Sequence, residues 1–155
     1  MGEGPASLRY VALLRGVNVG KKKVEMPRLK QAFEDLGFSD VRTLLNSGNV
    51  LFDAPASDSL VPAIEHKLHE RFGFEISVLV RTLDEIRALV SSEPFKSAGP
   101  NTKHFVTFTG LRTGEVCSVI AAGAQTTELM MELQKQYGQR ITTRNWNTVI
   151  KMVEL

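Results

Sequence analysis

The chain has 155 residues, 43% of them apolar and 23% charged, with a net charge of +2. This excludes a disordered chain and allows a buried core in one domain or two small ones. Total charge makes no case for a nucleic-acid partner, and a single cysteine, Cys117, excludes an intramolecular disulfide or a cysteine-rich zinc site.

The start, Met1 to Ser7, lacks the basic stretch and apolar run of a signal peptide, and Ala6 stands where a myristoylation signal wants Ser or Thr. No apolar run approaches the roughly 20 residues of a membrane helix. A cytoplasmic protein with no membrane partner is expected.

Leu8 to Leu14 is an almost continuous apolar run, as in a central strand. Pro27 suits a helix start, and Leu29, Ala32, Phe33 and Leu36 recur at helical spacing until Gly37 stops them. Val41 to Leu45 and Val50 to Phe52 are short strands joined by Asn46-Ser47-Gly48-Asn49, residue types that tolerate the positive φ of a tight hairpin. Leu60, Val61, Ile64, Leu68 and Phe72 mark a second helix, with Ser57, Asp58 or Ser59 as its cap and Gly73 as its end; Ile76 to Val80 is a further strand.

The first half thus reads β-α-β-β-α-β, the split pattern of a ferredoxin-like sandwich. In such a unit the first and third strands are central neighbours, and the loop after Leu14 meets the 46–49 hairpin at one end of the sheet. In the second half, Thr82 and Glu85 form a capping box before Ile86, Leu89 and Val90. His104 to Thr109 alternates like a strand, with His104 at a strand edge, and Glu115 to Ile120 pairs with it. Leu129, Met130, Leu133 and Tyr137 give a helix ended by Gly138. Trp146, Val149, Ile150 and Val153 give a last helix capped by Thr142 or Thr143. The expected fold class is α+β, with tandem ferredoxin-like units and antiparallel sheets. The first unit is expected over 1–81 and a smaller or incomplete second over 82–155.

Three polar segments carry candidate chemistry. Arg15, Asn18, Lys21, Lys22 and Lys23 follow the first strand, in a glycine-bearing loop with four cations in nine residues. The loop lacks P-loop spacing and the dinucleotide glycine pattern, and a solvated basic loop explains it equally well. Asn46, Ser47 and Asn49 form the hairpin, which turn chemistry alone accounts for. Arg144, Asn145, Trp146 and Asn147 sit at the expected start of the last helix, where free N–H groups attract anions and Trp146 can stack on a ring. Against this, Trp146 continues an apolar stripe and fits a core.

His66 and His69 lack a third ligand and read as surface residues, so no metal is expected. Cys117 reads as an inert buried thiol. The three segments contain no His, Cys, Asp or Glu, which favours binding over general acid–base chemistry.

The runs Tyr10 to Gly20, Asn46 to Val50 and Thr143 to Val149 closely resemble the signatures of a bacterial family catalogued as domain of unknown function number sixteen ninety-seven. The resemblance implies two ferredoxin-like α+β units in tandem, and no known activity, cofactor or catalytic residue. This chain departs from the family pattern between Phe95 and Thr142, a stretch shorter than is typical, so an incomplete second unit is expected. The Lys21–Lys23 run resembles a loop commonly rich in Gly, Lys and Asn.

The leading functional expectation is a binding module for an anionic ligand, a phosphorylated metabolite or nucleotide. RNA is less favoured, because the first strand carries Tyr10 as its one aromatic. One alternative is an enzyme using the same pocket, with Arg15 and Arg144 stabilising negative charge and Ser47 as nucleophile. Another is an interaction protein in which Asn18, Asn49, Asn145 and Asn147 are buried, hydrogen-bonded mortar. No particular cofactor or oligomeric state is indicated.

Overall fold

The structure is a computed structural model that describes residues 7–15, 23–44, 48–109, 115–121, 126–138 and 140–155. It is α+β, with two antiparallel sheets, of four and three strands, and five helices among the described residues. The chain divides into two compact units, Met1–Asp84 and Glu85–Leu155.

In the first unit, β1 (Ser7–Leu14), α1 (Met26–Asp35), β2 (Ser39–Leu44), β3 (Asn49–Pro55), α2 (Leu60–Phe72) and β4 (Val78–Thr82) give the sheet order β2-β3-β1-β4. The crossover β1-α1-β2 therefore brackets β3, and β3-α2-β4 brackets β1. Strands β1 and β3 are the central neighbours, and the Leu14 N–H donates to the Gly48 carbonyl at 2.9 Å, so the end of β1 meets the β2–β3 turn.

Tyr10, Ala12 and Leu14 on one face pack with Val50, Phe52, Leu29, Phe33, Ile64 and Leu68. Phe52 is the hub, its ring 4.7 Å from Phe38, 5.3 Å from Phe33 and 5.5 Å from Tyr10. The alternate residues Val11, Leu13 and Leu51 are also fully buried, which is why β1 reads as an unbroken apolar run. Each such burial stabilises by about 2 kcal/mol.

Polar ties pin these elements. Arg71 pairs with Asp35, and the Arg28 guanidinium lies 5.0 Å above the Phe72 ring while donating to the Arg71 carbonyl at 3.0 Å. Arg9 spans the sheet: its Nη1 donates to Asp53 Oδ1 at 3.1 Å and to the Asp40 carbonyl at 2.8 Å. Asp40 has φ +47° within the register shift between Ser39 and Arg42. Glu65 Oε2 on α2 accepts the Val78 N–H at 2.9 Å. That bond falls where β4 begins, two residues later than the sequence predicts. Val78 is the partner of Leu14, the last residue of β1, so Ile76 joins the core without joining the ladder.

The second unit follows with α3 (Leu83–Ser91), which spans the division, then β5 (Thr102–Thr109), β6 (Glu115–Ala121), α4 (Thr127–Tyr137), β7 (Ile141–Asn145) and α5 (Trp146–Glu154). The sheet order is β6-β5-β7, so β6-α4-β7 brackets β5.

Four expectations are corrected here. Thr142 and Thr143 are strand residues of β7, and the α5 cap is Asn145, whose Oδ1 accepts from the Thr148 N–H at 2.9 Å and the Thr148 hydroxyl at 3.0 Å. The buried face of α5 is Thr148, Val149 and Met152, while Trp146, Ile150 and Val153 are half-buried. His104 lies on β5, the central strand, two residues in from the strand's start. Cys117 is exposed on β6, which is an edge strand. No helix among the described residues is long and apolar enough to cross a membrane.

Candidate functional site

Strands β5 and β7 pair with Phe105 opposite Asn145, so the start of β5 lies beside the end of β7. Helix α5 begins at the next residue, Trp146. A pocket of about 440 Å³ opens there, lined by Thr102, Lys103, His104 and Phe105 from β5 and by Asn145, Trp146 and Asn147 from the β7–α5 junction.

Phe95 organises the aromatic side of this site. It is buried, stacks on the His104 imidazole with centroids 4.7 Å apart and 6° between planes, and meets Trp146 edge-on at 5.0 Å. Such pairs contribute about 1 kcal/mol beyond their burial. Below His104, Thr102 Oγ1 lies 2.9 Å from Nε2 and 2.8 Å from the Gly99 carbonyl oxygen.

The lining residues are a lysine, a histidine, two asparagines, a tryptophan, a phenylalanine and a threonine, with no acidic residue among them. Asn145 spends its Oδ1 on the helix cap, while Asn147 is exposed. The arrangement offers hydrogen-bond donors and positive charge beside flat apolar rings. No group of three or more His, Cys, Asp or Glu suited to a metal occurs among the described residues.

Of the residues singled out from the sequence, Asn145, Trp146 and Asn147 line this pocket. Arg144, next to them, does not belong to a helix start. It is a buried β7 residue whose Nη1 donates to Thr142 Oγ1 at 2.6 Å and to the Thr143 carbonyl at 3.1 Å. Burial pulls its guanidinium down from the usual arginine range to about 10. In the first unit, Asn49 is 0% exposed, and its Nδ2 donates to the Leu44 carbonyl at 3.0 Å. Arg15 is half-buried, with its N–H on the Ser77 carbonyl, and Lys23 is exposed ahead of α1. Asn18, Lys21, Lys22, Asn46 and Ser47 lie outside the described residues.

Mortar made of asparagines is corrected in part, since Asn49 is buried but Asn145 and Asn147 are exposed. Sequence reasoning missed Thr102, Lys103, His104 and Phe105 as lining. The available signal is the Lys-His pair near the head of a strand that continues with apolar residues and threonines, directly after the Ser97–Asn101 loop.

The profile of a family described as "Protein of unknown function (DUF1697)" matches residues 8–141. The chain belongs to this family. A search of curated proteins returns no match. Among solved structures, the chain is similar to conserved bacterial protein SP0830 from Streptococcus pneumoniae, at 24% identity and a TM-score of 0.75, over 96% of this chain and 98% of that one. That likeness concerns the fold.

Proposed function

We propose that this family member is a cytosolic binding module for a small anionic ligand, a phosphorylated metabolite or nucleotide, held where β5 meets the β7–α5 junction. The observation that carries this reading is the acid-free lining that sets Lys103 and His104 beside Trp146. A phosphate needs donors and positive charge without a competing carboxylate, and the indole offers apolar area to the organic part of the ligand. In the same reading the units are tandem ferredoxin-like modules. The order β2-β3-β1-β4 supports this for the first, and the single bracketed crossover β6-α4-β7 supports a truncated second.

Trp146 is the chain's one tryptophan, so its fluorescence reports on this pocket directly. Titration with glycerol 3-phosphate should give a saturable change, weakened about tenfold by Lys103→Ala, the loss of one charge-assisted contact. Loss of affinity on replacing Arg15 and Lys21–Lys23, with no effect of Lys103→Ala, would move the site to the first unit. No saturable signal from a folded protein rejects the reading.

A further inference from the structure

The hydrogen bonds around Thr102 fix the chemistry that His104 presents. A threonine hydroxyl has one hydrogen and a carbonyl oxygen only accepts. Thr102 Oγ1 lies 2.8 Å from the Gly99 carbonyl oxygen, so its hydrogen is committed there. The same oxygen lies 2.9 Å from His104 Nε2, and that contact then requires the hydrogen on Nε2. A neutral imidazole carries one N–H, which leaves Nδ1 as a lone-pair acceptor. The contact with Thr102 selects this ring orientation, because a half-turn about Cβ–Cγ would put Cε1 in place of Nε2 and lose the bond. Among the described residues Nδ1 has no hydrogen-bond partner. His104 thus contributes an oriented acceptor to the lining.

We propose that His104 is a specificity-determining residue that reads a hydrogen-bond donor on the ligand through Nδ1. The pocket then selects an organic phosphate that bears a hydroxyl group over an equally charged phosphate ester that lacks one. This rests on the anion-binding reading above and adds the second half of the recognition code. Lys103 meets the charge, and His104 meets the hydroxyl. A site built around a buried or oriented hydrogen-bonding group discriminates strongly against an analogue that leaves it unpaired.

The test uses the full chain, nitrogen-edited magnetic resonance of its histidines, and calorimetric titration with two probes. Glycerol 3-phosphate and n-propyl phosphate share a three-carbon chain and a charge, and only the first has hydroxyls. In the ligand-free protein, His104 should carry its hydrogen on Nε2, and Thr102→Val should mix the two tautomers. The wild-type chain should favour glycerol 3-phosphate about tenfold, the scale of one hydrogen bond to an oriented partner. His104→Phe keeps a ring against Phe95 and should bring the two affinities together. A hydrogen on Nδ1 in the wild type, equal affinity for both probes, or a preference that survives His104→Phe overturns the inference and spares the anion reading. Failure of both probes to bind rejects the anion reading itself, and this inference with it.

Discussion

The side-chain amide of Asn49 donates to the Leu44 carbonyl at 3.0 Å, across the two residues that close the β2–β3 ladder. The turn is thus tied from inside by a residue with no exposed surface. An asparagine that turn propensity places at a hairpin tip is here the first residue of the returning strand. Asn49→Ala should lower stability by about 2 kcal/mol, the cost of leaving a buried acceptor unpaired. Asn49→Asp should not restore it, because a carboxylate cannot donate. Urea denaturation of both variants checks this.

Arg144 gives a stability term with a defined pH window. Its folded value, about 10, lies below the ordinary arginine range, so above about pH 10 the unfolded chain holds more protons. Stability from this group therefore rises as pH climbs above about 10, and the burial cost is present in full below it. Arg144→Ala removes the donor to Thr142 Oγ1 and the Thr143 carbonyl and should cost about 2 kcal/mol near neutrality. The wild-type advantage should widen at pH 10.5 relative to pH 8. Paired denaturation curves at the two values read this difference.

Asp35 works on the acid side. Its carboxyl is held below 3.8, first by the hydrogen bond from Arg71 and then by that from Gln31. A depressed carboxylate contributes stability above its unfolded value and loses it as pH falls through the folded value. Asp35→Asn should flatten the acid limb of the stability curve, and adding Arg71→Ala to that variant should cost less than Arg71→Ala alone. A double-mutant cycle at pH 6 and pH 3 measures the coupling.

Cys117 should label in the native state, since it is exposed on β6. Partial burial, and to a lesser degree Glu115, raise its thiol above 9.0, so little thiolate is present near neutrality. Iodoacetamide should modify it to completion, and more slowly than it modifies free cysteine. Protection until urea is added would contradict the exposed placement.

How much of this was legible follows the physics of each segment. The helices of the first unit announce themselves because apolar stripes end at Gly37 and Gly73, both at positive φ. β7 was invisible for the opposite reason. Ile141 to Asn145 contains four polar residues, and Thr142 and Arg144 are buried by tertiary pairing that local propensity cannot register. With no glycine or proline between β7 and α5, Thr142 and Thr143 read as caps. The pocket was half legible. Asn145 to Asn147 stood out as a polar run, but Thr102 to Phe105 joins them only through the pairing of Phe105 with Asn145, forty positions apart.

The Glu65 carboxylate on the Val78 N–H has a consequence for how the protein behaves in a crowd. β4 is the outer strand of its sheet, and a bare outer strand is a template on which another chain can add. Here the donor at the head of that template is already taken by a side chain from α2. An intruding strand could not bond at that position without evicting a charged partner. The first unit therefore carries its own guard against edge-to-edge association, built from a helix residue that neither the core nor the pocket requires.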